Sequence, residues 1–344
     1  MRYVYLFVLG LWSGLVQAQE VDDLRLVQVL ANFPTMTIWA NLPTGTTIER
    51  TQFHITIGEH SAKVFGIDTF QETGEGVGYI FLVDDSKYLG SRQLVQIKHA
   101  LHHWLQRLGP KDKAALISFG HEVGHDLQFT TDYFKLGNAI NMLAITDVET
   151  GLYHGLVEAI SLGRSRNPDL PDRRAIVVLS DGLDDSQSGA SLQDVLRQTK
   201  EYRVPIYSIG FVFEPISDHQ RVGLDGLENL SQLSGGYFIQ ADAHQLNDAF
   251  ERLYRRVSQA YRLRVDCPTC TVDTHLHHLS INWNDGRRSL REELDMRLLP
   301  KPAHRQSPVR MAAHSGVGWS GFILVSGFFA FLAGLIGIYR YRLR

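Results

Sequence analysis

Acidic and hydroxyl side chains follow two apolar runs of the chain, at the point where each run ends. Asp84, Asp85 and Ser86 come directly after the run YIFLV, and Ser180 and Asp181 come at the end of AIVVLSD. Such runs are typical of strands that are covered on both faces, and an open parallel sheet binds ligands beyond the carboxyl ends of its strands. Two strands would therefore deliver carboxylates to one edge of a sheet.

A further hydroxyl comes from Thr150, which precedes the helical pattern GLYHGLVEAI. Carboxylates and neutral hydroxyls that converge without histidine or thiol are the donors that a hard cation such as Mg²⁺ prefers, with Mn²⁺ and Ca²⁺ as alternatives. We therefore predict a metal site formed by Asp84, Ser86, Thr150 and Asp181. The structural alternative is that these residues cap the helices that follow them, and that Asp181 begins a turn.

The elements that must position these residues alternate along the middle of the chain. Near-continuous apolar runs are separated by amphipathic stretches of helical period, such as the stripe formed by Leu94, Ile97, Leu101 and Leu105. This alternation predicts an α/β fold with a doubly wound, mostly parallel sheet. The predicted strands cover residues 79–83, 114–119, 175–180 and 205–211.

The flanking parts of the chain have short alternating runs with Gly and Pro turns and no helical period. We predict that residues 19–75 and 262–300 meet as one small β-sandwich, with Trp39, Phe53 and Trp283 in its core. The α/β domain then covers residues 76–261.

The residues at the predicted edge resemble the metal-ion-dependent adhesion site (MIDAS) of the von Willebrand factor A (VWA) domain. The matching features are the DxSxS position after the first strand, Thr150 before a helix, and Asp181 in VVLSDG. The resemblance covers about residues 76–261, and the bracketing strands are similar to those of secreted bacterial members.

The resemblance implies a Rossmann-like fold and a binding module without enzymatic activity. It also implies that Asp84 holds Mg²⁺ through water, that Ser86 and Thr150 bind the ion directly, and that Asp181 acts largely through a bridging water. One coordination position would stay open for a carboxylate from a partner protein. Tyr88 departs from the pattern, because it stands where the second serine belongs and its phenol cannot place an oxygen there. The MIDAS is therefore degenerate.

The two ends of the chain indicate export and membrane anchoring. Residues 1–18 have the apolar run and small-residue ending of a signal peptide, with an uncleaved anchor as the alternative. Residues 317–339 carry no charge and are long enough to span a membrane, and three arginines in residues 340–344 favour a cytoplasmic C-terminus. Residues 301–316 read as a linker, so the bulk of the chain would be exported, and periplasmic if the source is bacterial.

Small residues recur at four-residue spacing in the predicted span, at Ser326, Ala330 and Gly334. They could form a helix–helix contact and so a homo-oligomer, although small residues are common in such helices. Cys267 and Cys270 could form a disulfide in an oxidising compartment, with a redox or zinc role as minor alternatives. The formal net charge of −3 gives no electrostatic reason to expect nucleic-acid binding.

The sequence therefore predicts a membrane-anchored adhesion module that binds another envelope or extracellular protein, through an acidic residue of that partner. One alternative is a metal-free scaffold of the cell envelope, which Tyr88 favours. The other is a metal-dependent hydrolase or phosphotransferase that uses Asp84, although the sequence places no matching general base at the strand ends.

Overall fold

A computed structural model describes residues 24–43, 47–145, 149–186, 189–201, 203–212, 215–242, 244–270 and 275–297. The predicted signal peptide (1–18), linker (301–316), membrane span (317–339) and basic tail (340–344) lie outside the described residues. Within the described ranges, no helix is long and apolar enough to cross a membrane.

The described residues form two sheets, seven α-helices and two 3-10 turns, η1 (Arg50–Gln52) and η2 (Lys87–Leu89). The strands are β1 (Arg25–Asn32), β2 (Thr35–Asn41), β3 (Phe53–Ile57), β4 (His60–Thr69), β5 (Val77–Asp84), β6 (Lys113–Phe119), β7 (Val123–Thr130), β8 (Arg173–Ser180), β9 (Ile206–Phe211), β10 (Phe238–Ala241), β11 (Tyr261–Asp266), β12 (Leu276–Asn284) and β13 (Ser289–Arg297). The helices are α1 (Phe70–Thr73), α2 (Ser91–Leu105), α3 (Tyr133–Met142), α4 (Leu152–Gly163), α5 (Leu192–Glu201), α6 (Asp218–Ser234) and α7 (Leu246–Ser258).

The central sheet has six strands in the order β10-β9-β8-β5-β6-β7. Its first five strands run parallel, and β7 pairs antiparallel with β6 at one edge. Every residue of β5, β8 and β9 is buried, as the near-continuous apolar runs predict. The predicted α/β fold is confirmed, and the antiparallel edge strand β7 makes the sheet mixed.

Helices cover both faces of this sheet. On one face, α2 and α7 pack over β5, and the ring of Trp104 meets those of Tyr79, Phe81 and Phe250 edge-on at centroid distances of 5.6 to 5.7 Å. On the other face, α4, α5 and α6 bury Leu156, Val195, Leu227 and neighbouring apolar residues against the strands. Because both faces are covered, the carboxyl edge of the sheet is where polar side chains can collect.

The flanking strands from both sides of the α/β unit do meet, in the order β1-β2-β11-β4-β3-β12-β13. The order is continuous because β4 is long enough to pair with β3 at residues 60–62 and with β11 from residue 63 onward. Its two halves enclose one apolar core that contains Trp283 and packs Phe53 at its margin.

Trp39 lies outside the flanking core in which the sequence placed it. Successive residues of a strand point to opposite faces, so Ile38 of β2 enters the flanking core while Trp39 enters the core of the α/β unit. At the far end of the β1–β2 hairpin, the Cys267 N–H donates to the Pro34 carbonyl at 2.8 Å. The structure joins Cys267 to Cys270 by a disulfide with an S–S distance of 1.98 Å.

A largely buried ion pair fastens the flanking sheet to the α/β unit, with the Arg203 and Glu292 side chains 8% and 21% exposed. Arg203, in the segment before β9, donates to Glu292 Oε1 of β13 at 3.0 Å and to the Leu26 carbonyl of β1 at 2.7 Å. Glu292 also accepts the Leu26 N–H. Burial lowers the pKa of Arg203 and raises the pKa of Glu292, so desolvation outweighs the attraction between the two charges.

A second set of polar contacts docks β1 on the α/β unit. The buried Gln28 side chain donates to the Asp172 carbonyl at 2.9 Å and accepts the Arg174 N–H at 3.0 Å. Arg25 donates to the Gly236 carbonyl at 2.9 Å. These contacts hold the amino ends of the central strands, which leaves the carboxyl edge uncovered by the flanking sheet.

Candidate metal site

Two neighbouring parallel strands end side by side at the carboxyl edge of the central sheet. Asp84 is the last residue of β5 and Ser180 the last of β8, and the register pairs Val83 with Leu179. The Ser180 hydroxyl donates to Asp84 Oδ2 at 3.2 Å and accepts the Gly182 N–H at 3.0 Å. The structure therefore brings the two predicted strand ends together.

The loop after β5 folds back over its own aspartate. The Ser86 N–H donates to Asp84 Oδ1 at 2.9 Å, and the Asp85 N–H donates to the Phe119 carbonyl of β6 at 3.0 Å. Ser86 then leads into η2, where Leu89 is buried and anchors the turn. Both oxygens of Asp84 therefore accept hydrogen bonds from the loops that enclose it.

Thr150 is held between the loops that follow β6 and β8. Its carbonyl accepts the N–H groups of Asp185 and Ser186 at 3.0 and 3.1 Å, and its own N–H donates to Asp185 Oδ1 at 2.5 Å. The next residue, Gly151, donates to the Gly120 carbonyl at 2.7 Å, so closely that a β-carbon at position 151 would lie 2.8 Å from that oxygen. Three loops thus position the threonine beside the segment that begins at Asp181.

The hydroxyls of Ser86 and Thr150 are fully buried in this region, as are the carboxylates of Asp84 and Asp181, which are 1% and 3% exposed. Thr150 Oγ1 has no hydrogen-bond partner among the described residues, whereas a hydrogen bond from the Ser86 side chain helps to lower the pKa of Asp84. A buried hydroxyl without a protein partner costs free energy unless water or a bound ion satisfies it. Neutral oxygens beside carboxylates are the donor set of a hard divalent cation, and the residues present fit that ion.

Helix capping does not account for these hydroxyls. Ser86 stands at the N-cap of η2 but its side chain accepts no cap hydrogen bond, and α4 begins after Gly151 without a side-chain cap. The first turn of α4 is bonded by a residue from another loop instead: Asp184 Oδ2 accepts the Tyr153 N–H at 2.7 Å. Asp181 does stabilise a turn, through the Leu183 N–H at 3.0 Å.

Burial disfavours the ionised form of the carboxylates at this edge. It raises the pKa of Asp84 to about 7, with the nearby charge of Asp181 as the second cause. Burial also raises the pKa of Asp181, and it raises the pKa of Asp184 to about 6. Ionising these buried carboxylates lowers the stability of the metal-free protein, and a bound cation would offset that loss.

The raised pKa of Asp84 predicts that the metal-free protein loses stability as the pH rises. A carboxyl group that binds its proton more tightly when folded contributes stability that is complete below its unfolded pKa, near 3.8, and is lost as the pH rises through about 7. We expect the free energy of unfolding in chelator to fall by roughly 1 to 3 kcal/mol between about pH 5 and 8. Urea unfolding at each pH measures it.

Asp84→Asn provides the control for that experiment. An amide oxygen can still accept the Ser86 N–H, and the side chain carries no charge at any pH. The variant should therefore flatten the pH dependence and be more stable than wild type at about pH 8. A wild-type slope in Asp84→Asn would assign the pH dependence to other groups.

Tyr88, which the sequence resemblance sets at the second MIDAS serine, lies near Asp181 and Asp185. The residue is 44% exposed, and its hydroxyl hydrogen-bonds to the Asp185 carboxylate. The charge of Asp185, followed by this hydrogen bond, raises the pKa of the phenol. The phenol oxygen is thus engaged by Asp185.

Sequence reasoning missed Asp184 and Asp185 as residues of this edge. The signal was present in the run SDGLDD, which carries two further carboxylates just beyond Asp181. Two histidines of α2 pair with neighbours away from this edge: His102 Nε2 lies 2.9 Å from Asn141 Oδ1, and His103 Nε2 lies 3.6 Å from Glu251 Oε2. In the part of the chain that the structure describes, no group of three or more His, Cys, Asp or Glu side chains is arranged to hold a metal.

Comparison with known proteins identifies the α/β unit. The family model of the von Willebrand factor type A domain matches residues 80–252, half of the 344-residue chain. The chain belongs to this family. A search of curated proteins finds no match.

Several solved structures are similar to the chain at low identity. The conserved hypothetical protein BatB from Bacteroides thetaiotaomicron is 20% identical, with 52% of this chain and 100% of that chain covered and a TM-score of 0.39. An aerotolerance-related membrane protein from Bacteroides fragilis is 18% identical, with coverages of 53% and 98% and a TM-score of 0.40. A von Willebrand factor type A protein from Catenulispora acidiphila is 12% identical, with coverages of 82% and 72% and a TM-score of 0.45.

Proposed function

We propose that this chain is an exported, membrane-anchored VWA protein that binds another protein at the carboxyl edge of its central sheet. In this proposal a divalent cation, Mg²⁺ first and Mn²⁺ or Ca²⁺ as alternatives, is held by Asp84, Ser86, Thr150 and Asp181. The observation that carries the metal assignment is the buried Thr150 Oγ1, which has no hydrogen-bond partner among the described residues, together with the buried Ser86 hydroxyl and the buried carboxylates of Asp84 and Asp181.

The proposed site combines charged and neutral oxygen ligands. Asp84 and Asp181 supply negative charge, while Ser86 and Thr150 supply neutral oxygens, so that the site does not cancel the charge of a cation completely. The cation, when bound, would offset the mutual repulsion of the carboxylates and join the loops after β5 and β8 to the segment before α4. The face presented to a partner would then be rigid.

Localisation rests on the two ends of the chain. The signal-peptide pattern at 1–18 and the uncharged stretch 317–339 support export with a cytoplasmic C-terminus. The small residues within 317–339 support self-association in the membrane. A disulfide between Cys267 and Cys270 fits an oxidising compartment.

A metal-free scaffold is the second candidate, and Tyr88 is the observation that favours it. An enzymatic role has less support, because Asp84 is buried and both of its oxygens accept hydrogen bonds, so it is not presented as a nucleophile. We therefore propose a function in binding, without catalysis.

Replacing Tyr88 by serine should strengthen Mg²⁺ binding. The substitution adds a hydroxyl of the length that the MIDAS pattern requires, and one more direct ligand should lower the Mg²⁺ dissociation constant by roughly tenfold. Tyr88→Phe is the matched control, because it breaks the hydrogen bond to Asp185 without adding a ligand. Titration calorimetry measures the Mg²⁺ dissociation constant of both variants. An equal gain in Mg²⁺ affinity for Tyr88→Phe would assign the effect to the released Asp185.

Partner capture in native membranes tests the proposed function. Crosslinking followed by purification of the full-length protein should recover a specific partner, and a chelator or Asp181→Ala should reduce that recovery. Recovery that is insensitive to both treatments would contradict the metal-dependent proposal and favour the metal-free scaffold.

A further inference from the structure

A cavity of about 550 Å³ opens in the flanking sheet beside η1. Its lining comes from residues 48–51, from residues 65–67 of β4 and from Arg264 of β11. Ile48 and Ile67 are partly buried and pack against the flanking core, so they give the cavity an apolar part. The side chains of Arg50 and Arg264 belong to the same lining. The cavity therefore combines apolar surface with two positive charges.

A β-bulge in β4 forms one wall of the cavity. The register between β4 and β11 shifts by one residue at Phe65, which has no residue opposite it. Phe65 is exposed, and its carbonyl accepts a hydrogen bond from Arg50 Nη1 at 3.0 Å. Bulges change the direction of a side chain and interrupt regular pairing. Here the bulge gives the lining an aromatic ring and holds Arg50 against β4.

Gly66 allows the guanidinium group of Arg264 to lie across the strand. A β-carbon at position 66 would lie 2.5 Å from both Nε and Nη2 of Arg264, so a larger residue would displace the group. The centre of the Phe65 ring is 5.4 Å from Arg264 Cζ, and Arg264 Nε lies 3.4 Å from Asp68 Oδ2. Asp68 also pairs with Arg262, at 2.9 Å, so its charge is shared. These contacts position Arg264, and its Nη groups have no hydrogen-bond partner among the described residues.

The lining does not supply a carboxylate partner for Arg50. Glu49 is the one acidic residue of the lining, and within the ranges that the structure describes it forms no ion pair with either arginine. A guanidinium group with free N–H groups is well suited to bind a carboxylate. We propose that this cavity binds an acidic segment of a partner protein, whose carboxylate pairs with Arg50 and Arg264 while an adjacent apolar side chain covers the two isoleucines. This surface is separate from the carboxyl edge of the central sheet, so the inference goes beyond the proposed function and needs no metal.

A labelled peptide of alternating leucine and glutamate tests this inference. Fluorescence anisotropy with the full-length protein at about 50 mM salt compares it with the same peptide in which glutamine replaces glutamate. We expect the glutamate peptide to bind at least about tenfold more tightly. Arg50→Gln and Arg264→Gln should each weaken its binding by about fivefold or more. Arg221→Gln, which removes an exposed arginine of α6, should leave it unchanged.

A chelator distinguishes this cavity from the candidate metal site. Binding of the glutamate peptide should persist in chelator and in Asp181→Ala, and its loss under either condition would assign the peptide to the metal site and overturn the inference. Equal binding by wild type, Arg50→Gln and Arg264→Gln would place the peptide elsewhere. Displacement of the peptide by inorganic phosphate at equal concentration would assign the cavity to a free anion. Urea unfolding of each variant shows whether lost binding reflects lost folding, and Arg50→Gln keeps the test decisive because Arg50 is exposed.

Discussion

Glu292→Ala is expected to lower the free energy of unfolding by about 3 kcal/mol. The substitution leaves the Arg203 guanidinium buried without its carboxylate and removes the acceptor of the Leu26 N–H. Breaking one partner of a buried pair costs more than the intact pair contributes, because the remaining charge stays out of water. Urea unfolding followed by circular dichroism measures the change.

The neighbouring residue of β13 supplies the matched control. Glu293 pairs with Arg291 and His278 on the surface, where such pairs contribute little, so Glu293→Ala should leave the free energy of unfolding close to that of wild type. The double variant Arg203→Met with Glu292→Leu should recover most of the loss, because it leaves no buried charge. Equal losses for Glu292→Ala and Glu293→Ala would mean that the pair does not fasten the two units.

Thr150→Val is expected to weaken Mg²⁺ binding by at least about tenfold while leaving the metal-free protein as stable as wild type or more so. Valine keeps the shape of threonine and removes only the hydroxyl. Because Thr150 Oγ1 is buried and has no partner among the described residues, its loss costs the metal-free protein no hydrogen bond. Titration calorimetry and urea unfolding measure the two effects.

Thr199→Val provides the comparison. Thr199, in α5, also has a buried hydroxyl without a partner among the described residues, but it does not belong to the candidate site. Its substitution should have a similar effect on stability and none on Mg²⁺ binding. Loss of Mg²⁺ binding in both variants would show that the effect is not local to the sheet edge.

The central sheet could be predicted from sequence because its strands are buried on both faces and therefore read as continuous apolar runs. The edge strand β7 could not, since most of its residues are only partly buried and its pattern carries little periodicity. The strand order of the flanking sheet could not be predicted from the sequence either. It depends on β4 pairing along its length with both β3, which directly precedes it, and β11, which follows the whole α/β unit in the chain.

At the site, the strand-end rule predicted where Asp84 and Ser180 would meet, because parallel strands share one carboxyl edge. The sequence could not show that the Ser86 and Thr150 side chains do not cap the helical turns that follow them, because capping depends on loop geometry that only the structure supplies. Nor could it show the Tyr88–Asp185 hydrogen bond, which joins residues almost a hundred positions apart.

The most direct test of the account is a calorimetric titration of full-length wild-type protein with Mg²⁺ at about pH 8, where Asp84 is ionised. Binding of one Mg²⁺ per chain, weakened in Asp181→Ala, is the predicted result. Heats that do not exceed dilution, or binding that Asp181→Ala leaves unchanged, would contradict the claim that this sheet edge holds a divalent cation.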